Sequence, residues 1–296
     1  MVTWTPWRAL EPEFPMGGLS LAETLDGGQA FRWHGDGDGV WTGQWADVAV
    51  RLRLNDHGRL EWSAPVELGK KVPEALRRYF ALDRDFVELA DRLPWRSDPH
   101  LARAIETFPG LPILRQPLPE TLLAFLCSAT KQIVQIKQML GLLAERFGRE
   151  VLPGFRALPD WNRLDSVSET DLRACALGFR ARYIKAVARI LGGRPGWEET
   201  LTALPYPEAR DWLMQLPGVG EKVADCVLLF GAGRLEAFPV DVWILKVMRQ
   251  RYHLEDWTLH QIAQFGRIHF GSAAGLAQQY LFAYERRVAA AAKPPN

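Results

Sequence analysis

Little in this 296-residue chain is in excess, and several of its shortages exclude function classes. It has three cysteines, Cys127, Cys175 and Cys226, far apart and odd in number. They form no Cys-x-x-Cys pair and no iron–sulfur spacing, so neither a disulfide framework nor a metal cluster is expected, and a reducing setting fits. No apolar run is long enough for a transmembrane helix, and Met1 to Arg8 lacks the apolar core of a signal peptide. The expectation is a soluble, cytoplasmic protein. Nor does one sign of charge dominate: 36 Lys and Arg against 35 Asp and Glu leave a net charge of +1. A nucleic-acid partner therefore requires basic residues gathered on one face. Repeats and low-complexity tracts are absent.

What is there is ordinary in bulk, with 48% hydrophobic and 24% charged residues, enough for one large domain or two modest ones. Residues from about 18 to 63 read as β. Trp41, Trp45, Val48, Val50, Leu52 and Leu54 alternate with polar or small residues, and Asn55-Asp56-His57-Gly58 is a turn signal. From Pro73 the spacing becomes helical. Helices are expected at about 99–108, 119–147, 169–176, 180–191, 207–215, 221–231, 241–252, 258–269 and 273–289, several separated by Pro and Gly clusters. The fold class is therefore α+β, an N-terminal antiparallel β domain with a flanking helix (1–95) followed by a helical body (96–296).

The most informative stretch is Leu216-Pro217-Gly218-Val219-Gly220-Glu221-Lys222-Val223-Ala224-Asp225. Gly218 and Gly220 permit a tight turn between helices and leave amides free at the next helix start, where they bind phosphate without reading sequence. An ordinary glycine-containing connection has the same composition. Lys222 falls in the first helical turn, where the positive helix end disfavours a cation. A lone lysine is most often a solvated side chain, but a neutral amine there can attack a sugar carbon and form a Schiff base. Asp241, in Phe238-Pro239-Val240-Asp241-Val242-Trp243, shifts the balance. It reads as an N-cap that can also stabilise positive charge on the sugar.

Together these residues resemble the helix-hairpin-helix, Gly/Pro-Asp superfamily of base-excision DNA glycosylases, and within it the 8-oxoguanine DNA glycosylase/AP lyase family. The resemblance runs from about residue 18 to 287. It implies a TATA-binding-protein-like β domain before the helical body, and it assigns Lys222 as nucleophile and Asp241 as its charged helper. Gly27-Gly28-Gln29-Ala30-Phe31-Arg32-Trp33 is similar to the family segment in which a glycine carbonyl accepts a hydrogen from N7, protonated in 8-oxoguanine and bare in guanine. That points to Gly28. The same resemblance implies that Cys226 and Phe282 stack on the two faces of the extruded base and that Gln278 bonds its Watson–Crick edge. Phe179 would fill the space left in the duplex and Arg180 would meet the orphaned base. From 173 to 194 there are six Arg or Lys residues and no acidic ones.

The chain departs from the family pattern at three places. Thr130 stands where eukaryotic members have an asparagine that helps read the opposite cytosine, and Gln135 stands where an arginine checks it. Trp243 replaces a histidine. The expectation is weaker discrimination of the opposite base. No cofactor is implied and no metal, although an ion held by hairpin carbonyls would be structural. The expected partner is double-stranded DNA containing oxidised guanine, bound by a monomer. Two other readings remain: a monofunctional alkylated-base glycosylase using Asp241 to activate water, and a non-catalytic hairpin module for DNA binding.

Overall fold

The computed structural model describes residues 2–292. Five antiparallel strands form the N-terminal sheet: β1 (Arg8–Ala9), β2 (Trp33–Gly35), β3 (Trp41–Trp45), β4 (Val48–Leu54) and β5 (Leu60–Ser63), in the order β1-β5-β4-β3-β2. The Asn55 turn joins β4 to β5, with the Asn55 side-chain oxygen accepting from the His57 and Arg59 amides. One face is closed by Trp33, Val50 and Leu52, all fully buried. Trp33 Nε1 donates to Tyr79 Oη at 3.0 Å, so the polar edge of this large core residue is satisfied.

Three parts of the sequence reading are corrected. Gly18–Asp26 is not β but a helix, α1, whose buried Leu21 and Leu25 lie one turn apart beside Ser20 and Thr24. The small hydroxyl residues in that buried stripe obscure the apolar spacing. They are accommodated by local bonds, Ser20 Oγ to the Pro109 carbonyl and Thr24 Oγ1 to the Ser20 carbonyl, each at 2.7 Å. After α2 (Val72–Tyr79) and α3 (Phe86–Asp91) come α4 (Pro99–Thr107), α5 (Leu118–Cys127) and α6 (Ile133–Phe147). The expected single helix at 119–147 is thus broken over 128–132, where Thr130 takes a left-handed φ of +56°. Restarting is helped by Gln135, whose side-chain oxygen accepts from the Gln132 amide at 3.2 Å.

Downstream, the small hairpin β6 (Glu150–Leu152) and β7 (Phe155–Arg156) precedes α7 (Trp161–Ser166) and α8 (Glu169–Leu172). The third correction lies here. Helical geometry expected to 176 fails at Cys175 and Ala176, and with Gly178 at φ +56° the chain is turned so that Phe179 stands at the N-cap of the next helix. The rest is α9 (Arg180–Leu191), α10 (Trp197–Ala203), α11 (Tyr206–Met214), α12 (Glu221–Phe230), α13 (Val242–Tyr252), α14 (Leu259–Phe270) and α15 (Ala274–Ala291). Helices α7 and α10 were not foreseen. Sheet and helices share one contiguous apolar core. Among the described residues no helix is long and apolar enough to cross a membrane.

Candidate active site

A cavity of about 780 Å³ opens where α12, α13, α15, the 128–132 break and the Gly27–Gly28 turn meet. Its wall includes Lys222, Cys226, Asp241, Gln278, Phe282 and Gly28, residues up to 254 positions apart (282 − 28). The cavity thus gathers every residue expected to touch the base or perform chemistry.

Lys222 is the second residue of α12, whose start is capped by Gly220 with no side-chain bond to the first-turn amides. Its Nζ donates to Ser128 Oγ at 3.2 Å and lies 5.1 Å from the centroid of the Phe125 ring. The single hydroxyl hydrogen of Ser128 is spent on the Phe125 carbonyl, 2.8 Å away. Ser128 can therefore only accept from the lysine, and a neutral amine so held keeps its lone pair for another target. Ser128 and Phe125 were missed in the sequence. Their partner is remote, and Ser128 sits in a segment expected to be plain helix.

Asp241 caps α13 as anticipated. Its Oδ1 accepts from the Trp243 amide at 3.0 Å and the Ile244 amide at 2.9 Å, while Oδ2 has no partner among the described residues. One oxygen thus holds the helix and the other is free. Burial raises the carboxyl above its usual range, opposed by the Ile244 amide, Lys222, the Trp243 amide and Arg286. Lys222 and Asp241 line the same cavity, yet no ion pair joins them within 4.0 Å. Cys226, one turn beyond Lys222 on the same helix, has its thiol pushed up to about 12, chiefly by burial. It is a neutral, polarisable wall, not a second nucleophile.

Gln278 donates from Nε2 to the Pro239 carbonyl at 3.2 Å, and its Oε1 is buried without a partner. Neighbouring Gln279, 2% exposed and also on the cavity wall, has an unpartnered Nε2. Orphaned amide groups in a buried wall are costly unless something polar enters the cavity. Gly28 has φ +110°, a conformation that favours glycine, and a methyl there would stand 3.5 Å from Ile133 Cδ1 and 3.7 Å from the Phe282 ring. The adjoining Gln29 is fully buried and stitched to the 112–116 segment through Pro112, Leu114 and Gln116.

The expected DNA-facing residues divide. Gly218, at φ +82°, packs so closely on α9 that a methyl would fall 2.7 Å from Tyr183 Cγ; a methyl on Gly220 would meet nothing within 4 Å. Phe179, the expected wedge, is 47% exposed. Arg180, by contrast, is buried at 2% and turned inward, donating to the Ala129 carbonyl and, at 3.0 Å, to Thr130 Oγ1. It thereby braces the 128–132 break. Thr130 is thereby engaged, and Gln135 is engaged in its capping bond.

Two family models match. One, described as 8-oxoguanine DNA glycosylase, N-terminal domain, covers residues 13–122. The other, HhH-GPD superfamily base excision DNA repair protein, covers 123–266. A Methanothermobacter thermautotrophicus protein named "Probable N-glycosylase/DNA lyase" is 41% identical over 120 residues, 40% of this chain and 38% of that protein. The chain is 31% identical over 304 residues to N-glycosylase/DNA lyase OGG1 of Arabidopsis thaliana, covering 95% of this chain and 80% of the relative. Among solved structures, the Clostridium acetobutylicum 8-oxoguanine glycosylase/lyase bound to double-stranded DNA with cytosine opposite 8-oxoguanine superposes with a TM-score of 0.84. That match has 32% identity over 97% of this chain and 99% of that one.

Proposed function

Since the chain belongs to the 8-oxoguanine DNA glycosylase family of the helix-hairpin-helix Gly/Pro-Asp superfamily, we propose that it excises 8-oxoguanine from duplex DNA and nicks the strand, with Lys222 as nucleophile. The observation that carries this reading is the single cavity shared by Lys222, Asp241 and the base-binding residues. The lesion base leaves the helix and lies between the Cys226 thiol and the Phe282 ring, with its Watson–Crick edge at Gln278 and its N7–H on the Gly28 carbonyl. The orphaned Oε1 of Gln278 suits the first of those bonds, and the Gly28 carbonyl, which accepts from no group among the described residues, suits the second.

The Lys222 lone pair forms a bond to C1′ while the C1′–N9 pair departs with the base, which takes up a proton. Asp241 Oδ2 faces the charge that develops on the sugar, and its ionised form stabilises it. Ring opening gives a Schiff base. Loss of a C2′ proton then expels the 3′ phosphate and cuts the strand. The hairpin amides at Gly218 and Gly220 hold phosphate, and Phe179 occupies the vacated stack. Thr130, Gln135 and Arg180 face the opposite strand, but their bonds to one another and to the 128–132 break favour relaxed reading of the opposite base.

Borohydride trapping on duplexes with 8-oxoguanine opposite each of the four bases tests all of this. A covalent adduct is expected on every duplex, with comparable base-release rates, and none in Lys222→Gln. Absence of an adduct with the unaltered protein refutes the lysine mechanism, and a strong cytosine preference refutes relaxed reading.

A further inference from the structure

Arg286 lies on α15 one turn beyond Phe282, and its guanidinium carbon stands 5.3 Å from the centroid of that ring. Its Nη1 donates to the Gly27 carbonyl at 2.7 Å and to Glu23 Oε1 at 2.9 Å. The pair is largely buried, with side-chain exposures of 27% for Arg286 and 14% for Glu23. The arginine thus joins the C-terminal helix of the cavity to the end of α1 and the turn that follows it. No residue larger than glycine fits at 27, since a Cβ would fall 2.1 Å from the Glu23 carbonyl and 2.3 Å from its Oε1. The glutamate occupies the space beside the turn and holds the arginine there.

The carbonyls along this turn alternate in an informative way. That of Gly27 is held by Arg286, and that of Gln29 accepts from Gln116 Nε2 at 2.7 Å. The Gly28 carbonyl between them has no partner among the described residues. With φ of +110°, Gly28 itself has little intrinsic preference to fix that group, because glycine populates many conformations. Its direction is set by pinning the peptide plane on either side. A hydrogen bond weakens steeply once its angle falls well below linear, so a carbonyl that reads one hydrogen has to be aimed.

We infer that Arg286 is a positioning residue for lesion recognition, holding the Gly27 carbonyl while lying against Phe282, so that preference for oxidised over normal guanine depends on it. The inference rests on Gly28 being the lesion-reading carbonyl. Arg286 touches no part of the base; it fixes the reading carbonyl relative to the stacking ring. A charge-assisted hydrogen bond in a largely buried setting is strong enough for its removal to let the turn rotate.

The test uses the Lys222→Gln protein, which binds without turnover, titrated with three duplexes carrying 8-oxoguanine, guanine or a tetrahydrofuran abasic analogue. Adding Arg286→Leu is expected to lower the ratio of affinities for 8-oxoguanine over guanine by about tenfold, the scale of one charge-assisted hydrogen bond. Affinity for the abasic analogue, which puts no base in the cavity, stays within about twofold. Arg286→Lys recovers part of the ratio, because an ammonium still donates to the Gly27 carbonyl. An unchanged ratio in Arg286→Leu overturns the inference, as does an equal loss on all three duplexes, which marks a merely structural role. If Arg286→Leu does not fold, Arg286→Met carries the same expectation, because it keeps an unbranched stem against Phe282 but has no donor for the Gly27 carbonyl. A Lys222→Gln parent that itself fails to prefer 8-oxoguanine instead refutes the reading of Gly28, a distinct result.

Discussion

The two rims of the cavity are built in opposite ways. On the chemical rim, Lys222 and Asp241 stand at the starts of α12 and α13, so helix ends fix their backbones, and two backbone amides hold Asp241 Oδ1. On the rim of the 128–132 break, side chains hold one another: Arg180 holds Thr130 and the Ala129 carbonyl, and Gln135 holds the Gln132 amide. The first rim has its functional oxygen and amine to spare, whereas the second spends its polar groups internally. A rim carried by backbone keeps side chains free for a substrate. A rim carried by side chains gives up recognition for structure, which is the physical basis for expecting strong chemistry and weak reading of the opposite base.

The sharpest attempt to break this contrast is Asp241→Asn. The amide oxygen still caps α13, so the fold is retained, but the charge is gone; kcat is expected to fall by about 10³-fold, the scale of one well-placed electrostatic group. The unaltered protein should lose activity as pH falls through the raised pKa of Asp241, at higher pH than for an ordinary carboxylate, and single-turnover pH profiles should lack that limb in the variant. A profile identical to that of the unaltered protein separates Asp241 from the chemistry.

Next in size is Gly218→Ala on the same rim. A left-handed φ with a side chain costs about 1–2 kcal/mol, and the collision with Tyr183 adds overpacking of about 1–3 kcal/mol. Thermal unfolding should show a loss of several degrees together with weaker binding of undamaged duplex. An unaltered melting midpoint would mean that the hairpin is not tightly seated on α9. The smallest effect belongs to the other rim. Thr130 is β-branched at φ +56°, and asparagine tolerates that region far better. Thr130→Asn should raise stability by about 0.5–1 kcal/mol, read as a rise of about 2 °C in Tm. A fall would show that the Arg180–Thr130 bond outweighs the backbone strain.

How much of this was legible in the sequence follows the distances over which the groups interact. The hairpin, the Lys222–Cys226 face and the Asp241 cap were legible, because glycine spacing, helical period and a Pro-x-Asp cap are local signals. The sheet was legible from the alternation of Val50, Leu52 and Leu54 with arginines in β4, but α1 was not, since hydroxyl residues share its buried face. The 128–132 break was hidden because Ala129, Thr130 and Lys131 contain neither glycine nor proline, and a threonine is seldom left-handed. The inward turn of Arg180 was not legible, because it depends on a carbonyl 51 residues away. Ser128 and Arg286 were out of reach for the same reason, their partners being 94 and 259 residues distant. Tertiary bonds of that span leave no periodic trace.

The short break between α5 and α6 ties together two properties that an engineer would wish to adjust separately. Ser128 at its beginning accepts from Lys222, the proposed nucleophile, while Thr130 two residues later anchors Arg180, which is proposed to meet the other strand. Any redesign that reshapes the loop to favour one opposing base also shifts the resting place of the attacking amine. On the proposed mechanism, fidelity and turnover are therefore mechanically geared: a gain in one is felt in the other through a five-residue lever.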